Sequence, residues 1–266
     1  MKNLVVLRRL PFYAAVLGAL APALCWSQSS AAEAAPVDTS RWALGLGGAT
    51  RQFAYAGMER KTQVLPLLYF ENRWVRVAGV NAELKLLRQG FGDAQDVTAG
   101  LRLRYDNEGF DAGDSAQLAG MDERKGGFWG GTTATWRNPV VQLSAEWVAD
   151  LSGHSKGQKL LLQADHRFGW GGFGLTPRVQ AQWLDRKYVD YYFGVRDHEV
   201  TPGRAAYAGQ AALAVETGVR MDYTLTSRHS VFLDLSGTRL PNEIKLSPIV
   251  DRKTTTRAAF GYLYRF

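Results

Sequence analysis

The sequence predicts an all-β fold: a closed antiparallel transmembrane β-barrel of about twelve strands, or ten if the stretch 63–89 is read strictly. Three observations carry this. Segment after segment alternates apolar and polar residues with a period of two, which sorts them onto the two faces of a strand. The links between segments alternate between short and mostly longer, as turns on one rim of a barrel and loops on the other would. The chain also closes on a strand that puts Ala258, Phe260, Tyr262, Tyr264 and Phe266 on one side and Arg257, Ala259, Gly261, Leu263 and Arg265 on the other. Lipid outside and water inside suit such a strand.

Taken in order, the first element is a leader. Lys2, Arg8 and Arg9 precede an uncharged stretch from Leu10 to Trp26, whose apolar core, about Phe12 to Trp26, falls short of the ~20 residues a spanning helix needs. Small residues follow, with Ala32-Glu-Ala34 fitting A-x-A. This is the layout of a secretory signal peptide over residues 1–34, cleaved between 28 and 34, rather than of an uncleaved anchor, and it leaves 35–266 as one barrel domain. The single cysteine, Cys25, lies in the leader, so the mature chain has no disulfide and no thiol chemistry. A closed barrel has every strand paired and needs neither.

Strands are expected at 42–50, 63–71, 73–79, 82–89, 95–106, 127–137, 140–151, 158–168, 172–184, 209–225, 229–239 and 255–266. Val141, Leu143, Ala145, Trp147 and Ala149 oppose Gln142, Ser144, Glu146 and Asp150; Leu175, Pro177, Val179, Ala181 and Trp183 oppose Thr176, Arg178, Gln180 and Gln182; Val97, Ala99, Leu101, Leu103 and Tyr105 oppose Thr98, Arg102 and Arg104. The region 63–89 alternates poorly and Pro66 interrupts it, which is the reason for the ten-strand fallback. Tight turns at Asn72, 90–94, Asn138-Pro139, 169–171 and 226–228 alternate with links at 51–62, 107–126, 152–157, 185–208 and 240–254. With both ends on the short-turn rim, the strand count is even. Trp42, Trp74, Trp136, Trp147, Phe168, Trp170, Trp183 and Phe266 sit near strand ends, where interfacial aromatics belong. In a soluble sandwich, the alternative for an alternating chain, they would be core residues.

Composition excludes other classes. Mean hydropathy is −0.21 and no long uncharged apolar run follows the leader, which excludes a helical membrane protein. Without residues 1–34 the chain carries 29 basic and 24 acidic residues, net +5, scattered without a like-charged block. That suits an anionic lipid surface and not nucleic acid. A C-terminal aromatic preceded by alternating apolar residues also resembles the signal by which outer-membrane barrels are recognised for assembly, here Phe260, Tyr262, Tyr264 and Phe266. The expected partners are therefore outer-membrane lipid and the barrel-assembly machinery.

Chemistry is sparse. Asp150, Ser152, His154 and Ser155 cluster near one rim, but a nucleophile needs a base beside it and a third group to orient that base, and spacing along a loop supplies neither. Asp197-His198-Glu199 are neighbours pointing in different directions, without a second ligand pair. Gly126-Gly127 and Gly130-Gly131 lack the Lys-Ser/Thr and the helix of a phosphate loop, and read as points of strand curvature. The sequence thus predicts no catalytic residue, no metal and no cofactor. The inward set, Arg102, Arg104, Arg178, Arg220, Arg257 and Arg265 against Glu146, Asp150, Asp165, Glu216, Asp222 and Asp234, either interlocks across the lumen or lines an aqueous path.

Tyr192-Phe-Gly-Val195, Tyr207-Ala-Gly209, Tyr223-Thr-Leu-Thr226, Leu246-Ser-Pro-Ile-Val250 and the closing Phe260-Gly-Tyr-Leu-Tyr-Arg-Phe266 resemble the MltA-interacting protein (MipA)/OmpV outer-membrane family in order and spacing; Lys245-Leu246 departs from the small-acidic pair expected before Ser247. The resemblance implies a non-enzymatic barrel in the bacterial cell outer membrane, a scaffold bridging a lytic murein transglycosylase and a murein synthase. A pore for small solutes, from the mixed-charge lumen, and an adhesin acting through 107–126 and 185–208 are the alternatives.

Overall fold

The computed structural model describes residues 40–92 and 94–266. The expected leader, 1–34, lies outside the described residues. The strands are β1 Arg41–Arg51, β2 Lys61–Glu71, β3 Val75–Ala78, β4 Asn81–Phe91, β5 Gln95–Asp106, β6 Gly127–Arg137, β7 Gln142–Asp150, β8 Gln158–Asp165, β9 Phe168–Trp170, β10 Phe173–Leu184, β11 Ala212–Thr224, β12 His229–Arg239 and β13 Thr254–Arg265. Neighbours pair antiparallel all the way round, and β13 returns to β1 with Arg265 opposite Ala43 and Arg257 opposite Arg51. The sheet is a closed barrel.

Thirteen segments make twelve wall positions, because β8 and β9 are two parts of one strand. Asp165 lies opposite Arg178 and Phe168 opposite Leu175, an unbroken register along β10. The gap between them faces Pro177, whose carbonyl accepts from the His166 N–H while its ring nitrogen has no hydrogen to return. One missing ladder bond divides the expected strand 158–168.

The poor alternation of 63–89 has two causes. A bulge shifts register between Lys85 and Leu87, so Leu84, opposite Leu101, and Leu87, opposite Ala99, both face outward with Leu86 as the extra residue. The strand β3 is also only four residues long, and it meets β2 from Tyr69 to Glu71 alone. The Leu68 carbonyl accepts from Gly79 N–H at that junction, so Pro66, two residues back, turns the side without an N–H toward the stretch where β3 has ended. Proline is tolerated there because no ladder bond is asked of it, and the twelve-strand reading holds.

Outward positions carry Leu44, Leu46, Val64, Leu101, Leu103, Leu143, Leu162, Val179, Leu213, Val215, Leu233 and Phe260, all exposed. All eight aromatics placed near strand ends from the sequence are exposed as well. Such apolar exposure is the lipid-facing surface of a membrane barrel. The inward face is largely polar, apart from a small cluster of Ala43, Tyr69, Ala78 and Leu263 near the turn rim and apolar residues such as Trp129, Val148 and Leu184 toward the loop rim.

Candidate functional site in the capped lumen

Two ion-pair systems cross the lumen. Along β4 to β8, Glu83 accepts from Arg102 at 3.2 Å, Arg102 faces Glu146 at 3.6 Å, Glu146 accepts from Arg104 at 2.8 Å, and Asp106 accepts from Arg104 at 2.8 Å and from Lys159. Lys159 also stands 3.9 Å from the ring centre of Trp129, a cation–π contact. Across the barrel, Arg178 forks onto both oxygens of Asp234 at 2.9 Å and lies 3.6 Å from Glu216. It crosses over β11 at Gly218, where a Cβ would come within 2.7 Å of the guanidinium carbon. Arg167 pairs with Asp222, and Arg220 stacks on Phe232 at 4.1 Å. Of the inward charges read from the sequence, Arg102, Arg104, Arg178, Glu146, Glu216, Asp222 and Asp234 take part in ion pairs, whereas Asp150 holds a turn and Asp165 accepts from Gln163 at 2.8 Å. Glu83 and Lys159 join the set as partners, and their neighbours Leu84, Leu160 and Leu162 on the outward face are the sequence signal that assigns them inward.

The loop rim is closed by a folded cap. The link 185–208, expected as a loop, contains the helix α1, Arg186–Phe193, and a single 3₁₀ turn at Asp197–Glu199. Asp185 starts α1 by accepting from Tyr188 N–H at 2.8 Å, and Tyr188, Val189, Tyr192 and Phe193 form its buried face. That N-cap and the i, i+4 spacing were present in the sequence, masked by the length of the link. A short helix, α2 Asn242–Lys245, lies in the β12–β13 link. Tyr55 packs edge-on against Phe110 at 4.7 Å and stacks near Phe193 at 5.6 Å, while Trp129, wholly buried on the inner face of β6, meets Tyr188 at 5.7 Å. Leu118, Ile244 and Ile249 complete this core.

The motifs that carry the family resemblance lie mainly inside the cap. Ser247 Oγ donates to the Phe193 carbonyl at 2.6 Å, Ala56 N–H donates to the Ile249 carbonyl at 2.8 Å, and Tyr207 Oη donates to the Glu243 carbonyl at 2.7 Å. Val195 and Tyr207 form a bridge. These residues tie three links to one another rather than facing solvent or lipid.

A buried ion pair pins the cap. Arg124 and Glu199, at 1% and 0% side-chain exposure, meet at 2.8 Å. Arg124 donates further to the carbonyls of Tyr191 at 2.7 Å and Asp122 at 2.8 Å; Glu199 accepts from the backbone N–H groups of Asp122 at 3.0 Å and Arg196 at 2.8 Å. Burial by itself would raise the Glu199 carboxyl, but those donors and Arg124 hold it below its ordinary value near 4.5. A carboxylate lowered by folding adds stability above the ordinary range and loses it as pH falls through the folded value. Near-UV circular dichroism is therefore expected to change on acidification below the ordinary carboxylate range while the far-UV strand signal persists; an acid-insensitive near-UV spectrum would refute this.

Asp150 accepts from the N–H groups of Ser152, Ser155 and Lys156 at 2.9, 2.7 and 2.9 Å, Ser152 Oγ accepts from Phe128 N–H at 2.8 Å, and His154 Nδ1 lies 2.8 Å from the Gly126 carbonyl. These groups organise a turn; no Ser–His pair forms among them. His198 and Glu199 are joined not by Asp197 but by Asp122, from the β5–β6 link, with ligand atoms within 4.8 Å of one another. Arg196, 2.6 Å from Asp122, and Arg124 on Glu199 already engage those carboxylates, an environment that suits an ion-pair network rather than a divalent cation. At Gly131 a Cβ would lie 1.9 Å from the Trp147 carbonyl, so this glycine permits close approach of β6 and β7. Phe260, Tyr262 and Phe266 are exposed on the outer face, and Tyr264 meets Phe266 edge-on at 5.0 Å.

Between the cap and the turn rim lies a cavity of about 190 Å³, lined among others by Arg51, Arg104, Lys159, Arg178, Glu216 and Arg257. The model of the family described as MltA-interacting protein MipA matches residues 44–266. The putative outer membrane protein YiaT of Escherichia coli K12 is 25% identical over 87% of this chain and 94% of its own length. OmpV of Vibrio cholerae is 30% identical over 70% of this chain and 73% of its own, and the MltA-interacting protein of E. coli K12 is 25% identical over 85% and 90%. The relatives' outer-membrane location agrees with the apolar outer face and the closed wall. The chain is an outer-membrane β-barrel, and it belongs to the MltA-interacting protein MipA family.

Proposed function

We propose that the protein is a non-enzymatic scaffold that holds murein-processing enzymes at the outer membrane, a lytic murein transglycosylase first and a murein synthase with it. The observation that carries this is its similarity, over 85% of the chain, to a protein named for its interaction with MltA. The interior supports it: most of the inward charges are spent on one another, and the Asp150–Ser155 groups on a turn. Residues 1–34 act as the export leader, and Phe260, Tyr262, Tyr264 and Phe266 are read by the assembly machinery. The test is crosslinking in intact cells followed by purification of the barrel and identification of what comes with it. Enrichment of a transglycosylase over an unrelated barrel of similar abundance is expected; no murein enzyme above that control defeats the scaffold reading.

A second reading, a pore for small solutes, is favoured by the polar cavity. It requires the cap and ion pairs to part, so discrete conductance of the intact protein in planar bilayers would establish it. Silent bilayers from correctly folded protein would remove it.

A further inference from the structure

We infer that the lumen cavity is a binding site for a small oxyanion, phosphate or a small carboxylate, held by Arg257. This is independent of the scaffold reading. Arg257 on β13 and Arg51 on β1 lie directly opposite each other, and both line the cavity. Like charges in direct opposition repel. Arg51 is neutralised by Glu108, which accepts from its Nη2 at 2.6 and 2.8 Å. Arg257 has no such relief: among the described residues no carboxylate pairs with it, and its Nε and Nη2 are shielded from solvent without a hydrogen-bond partner.

The contrast with the other cations lining the cavity is the core of the inference. Arg102 and Arg104 pair with Glu146, Arg104 and Lys159 with Asp106, Arg76 with Glu71, and Arg178 with Asp234 and Glu216. One shielded guanidinium, with a planar fork suited to carboxylate or phosphate, is left over. Leaving a buried charge without a counter-charge is strongly unfavourable, and a bound anion removes the deficit. Ser236, opposite Arg257 on β12, with Thr238, Thr255, Gln180 and Gln182, adds hydroxyl and amide donors to the same wall. The carboxylates around it do not fill the place: Glu216 takes Thr238 Oγ1 at 3.2 Å and faces Arg178, Asp234 takes both Arg178 nitrogens, and Glu108 is held by Arg51. The cavity measures about 190 Å³. That admits phosphate or a carboxylate of a few carbons.

The test uses the full mature barrel in detergent, with inorganic phosphate and, in a separate arm, succinate, each against chloride at matched ionic strength. For the wild type, a saturable rise of the thermal midpoint and a calorimetric binding isotherm are expected with at least one of them; the two arms tell a phosphate site from a carboxylate site. Arg257→Met is expected to weaken binding at least tenfold. Ser236→Asp places a carboxylate opposite Arg257, and is expected to abolish binding while its midpoint without added anion stays at or above that of the wild type. No saturable response to either anion overturns the inference, as does a response unchanged in Ser236→Asp.

Discussion

Replacing Glu199 with Ala is expected to cost about 3–5 kcal/mol, the range for breaking a buried ion pair by removing one partner. Its partner Arg124, at 1% exposure, would keep its bonds to the carbonyls of Tyr191 and Asp122 while losing the only carboxylate it pairs with among the described residues. The damage should be confined to the cap. The links 107–126 and 185–208 are joined through this pair and through Arg204, which donates to the carbonyls of Glu199, Gln117 and Ala119. Urea unfolding followed by tryptophan fluorescence should show an early loss of the cap signal, since Trp129 reports from its underside. Limited proteolysis should cut within 185–208 before the strands. The double substitution Glu199→Gln with Arg124→Met should recover most of the loss, because no unpaired charge remains. A single-site cost under about 1 kcal/mol would show that the pair is not what holds the cap.

Asp106→Ala is expected to cost a similar ~3–5 kcal/mol, but in the wall. Asp106 is shared by Arg104 and Lys159 and sits at the end of β5, where the barrel passes into the β5–β6 link. Removing it leaves Lys159, only 4% exposed, held by its contact with the Trp129 ring. The whole transition should move, far-UV and fluorescence signals together, in contrast to the divided transition of the Glu199 variant. Adding Lys159→Met should restore much of the stability. Coincident wild-type and Asp106→Ala transitions would mean that the lumen chain from Glu83 to Lys159 adds little.

The wall was legible in the sequence because a barrel strand writes its two environments into alternate residues; Leu143, Ala145 and Trp147 against Gln142, Ser144 and Glu146 leave one arrangement possible. Where the pattern blurred, each lapse had a local physical cause: the bulge at Leu86, the short β3, the missing donor at Pro177. The cap was not legible in the same way. Its core joins Tyr55, Phe110, Tyr188 and Ile249 from four separate links, and pairing at such separation leaves no period to read. Even α1, with a visible N-cap at Asp185, spans only two turns, too short for its apolar spacing to stand out inside a long link. The ion pairs were half legible: alternation gives which charges point inward, but partner choice depends on register and shear, which one sequence does not print.

The short β3 bears on how the ring would come apart. The first and last strands, which must find each other at the end of folding, are laced together from Ala43–Arg265 to Arg51–Arg257, whereas β2 and β3 share only Tyr69–Ala78 to Glu71–Arg76. The seam that closes the ring is thus well sewn, and the loose stitch lies two strands further on. Under tension or heat the cylinder should part there first, and the amides of Thr62 and Val64 should be the earliest in the wall to trade their hydrogens with solvent.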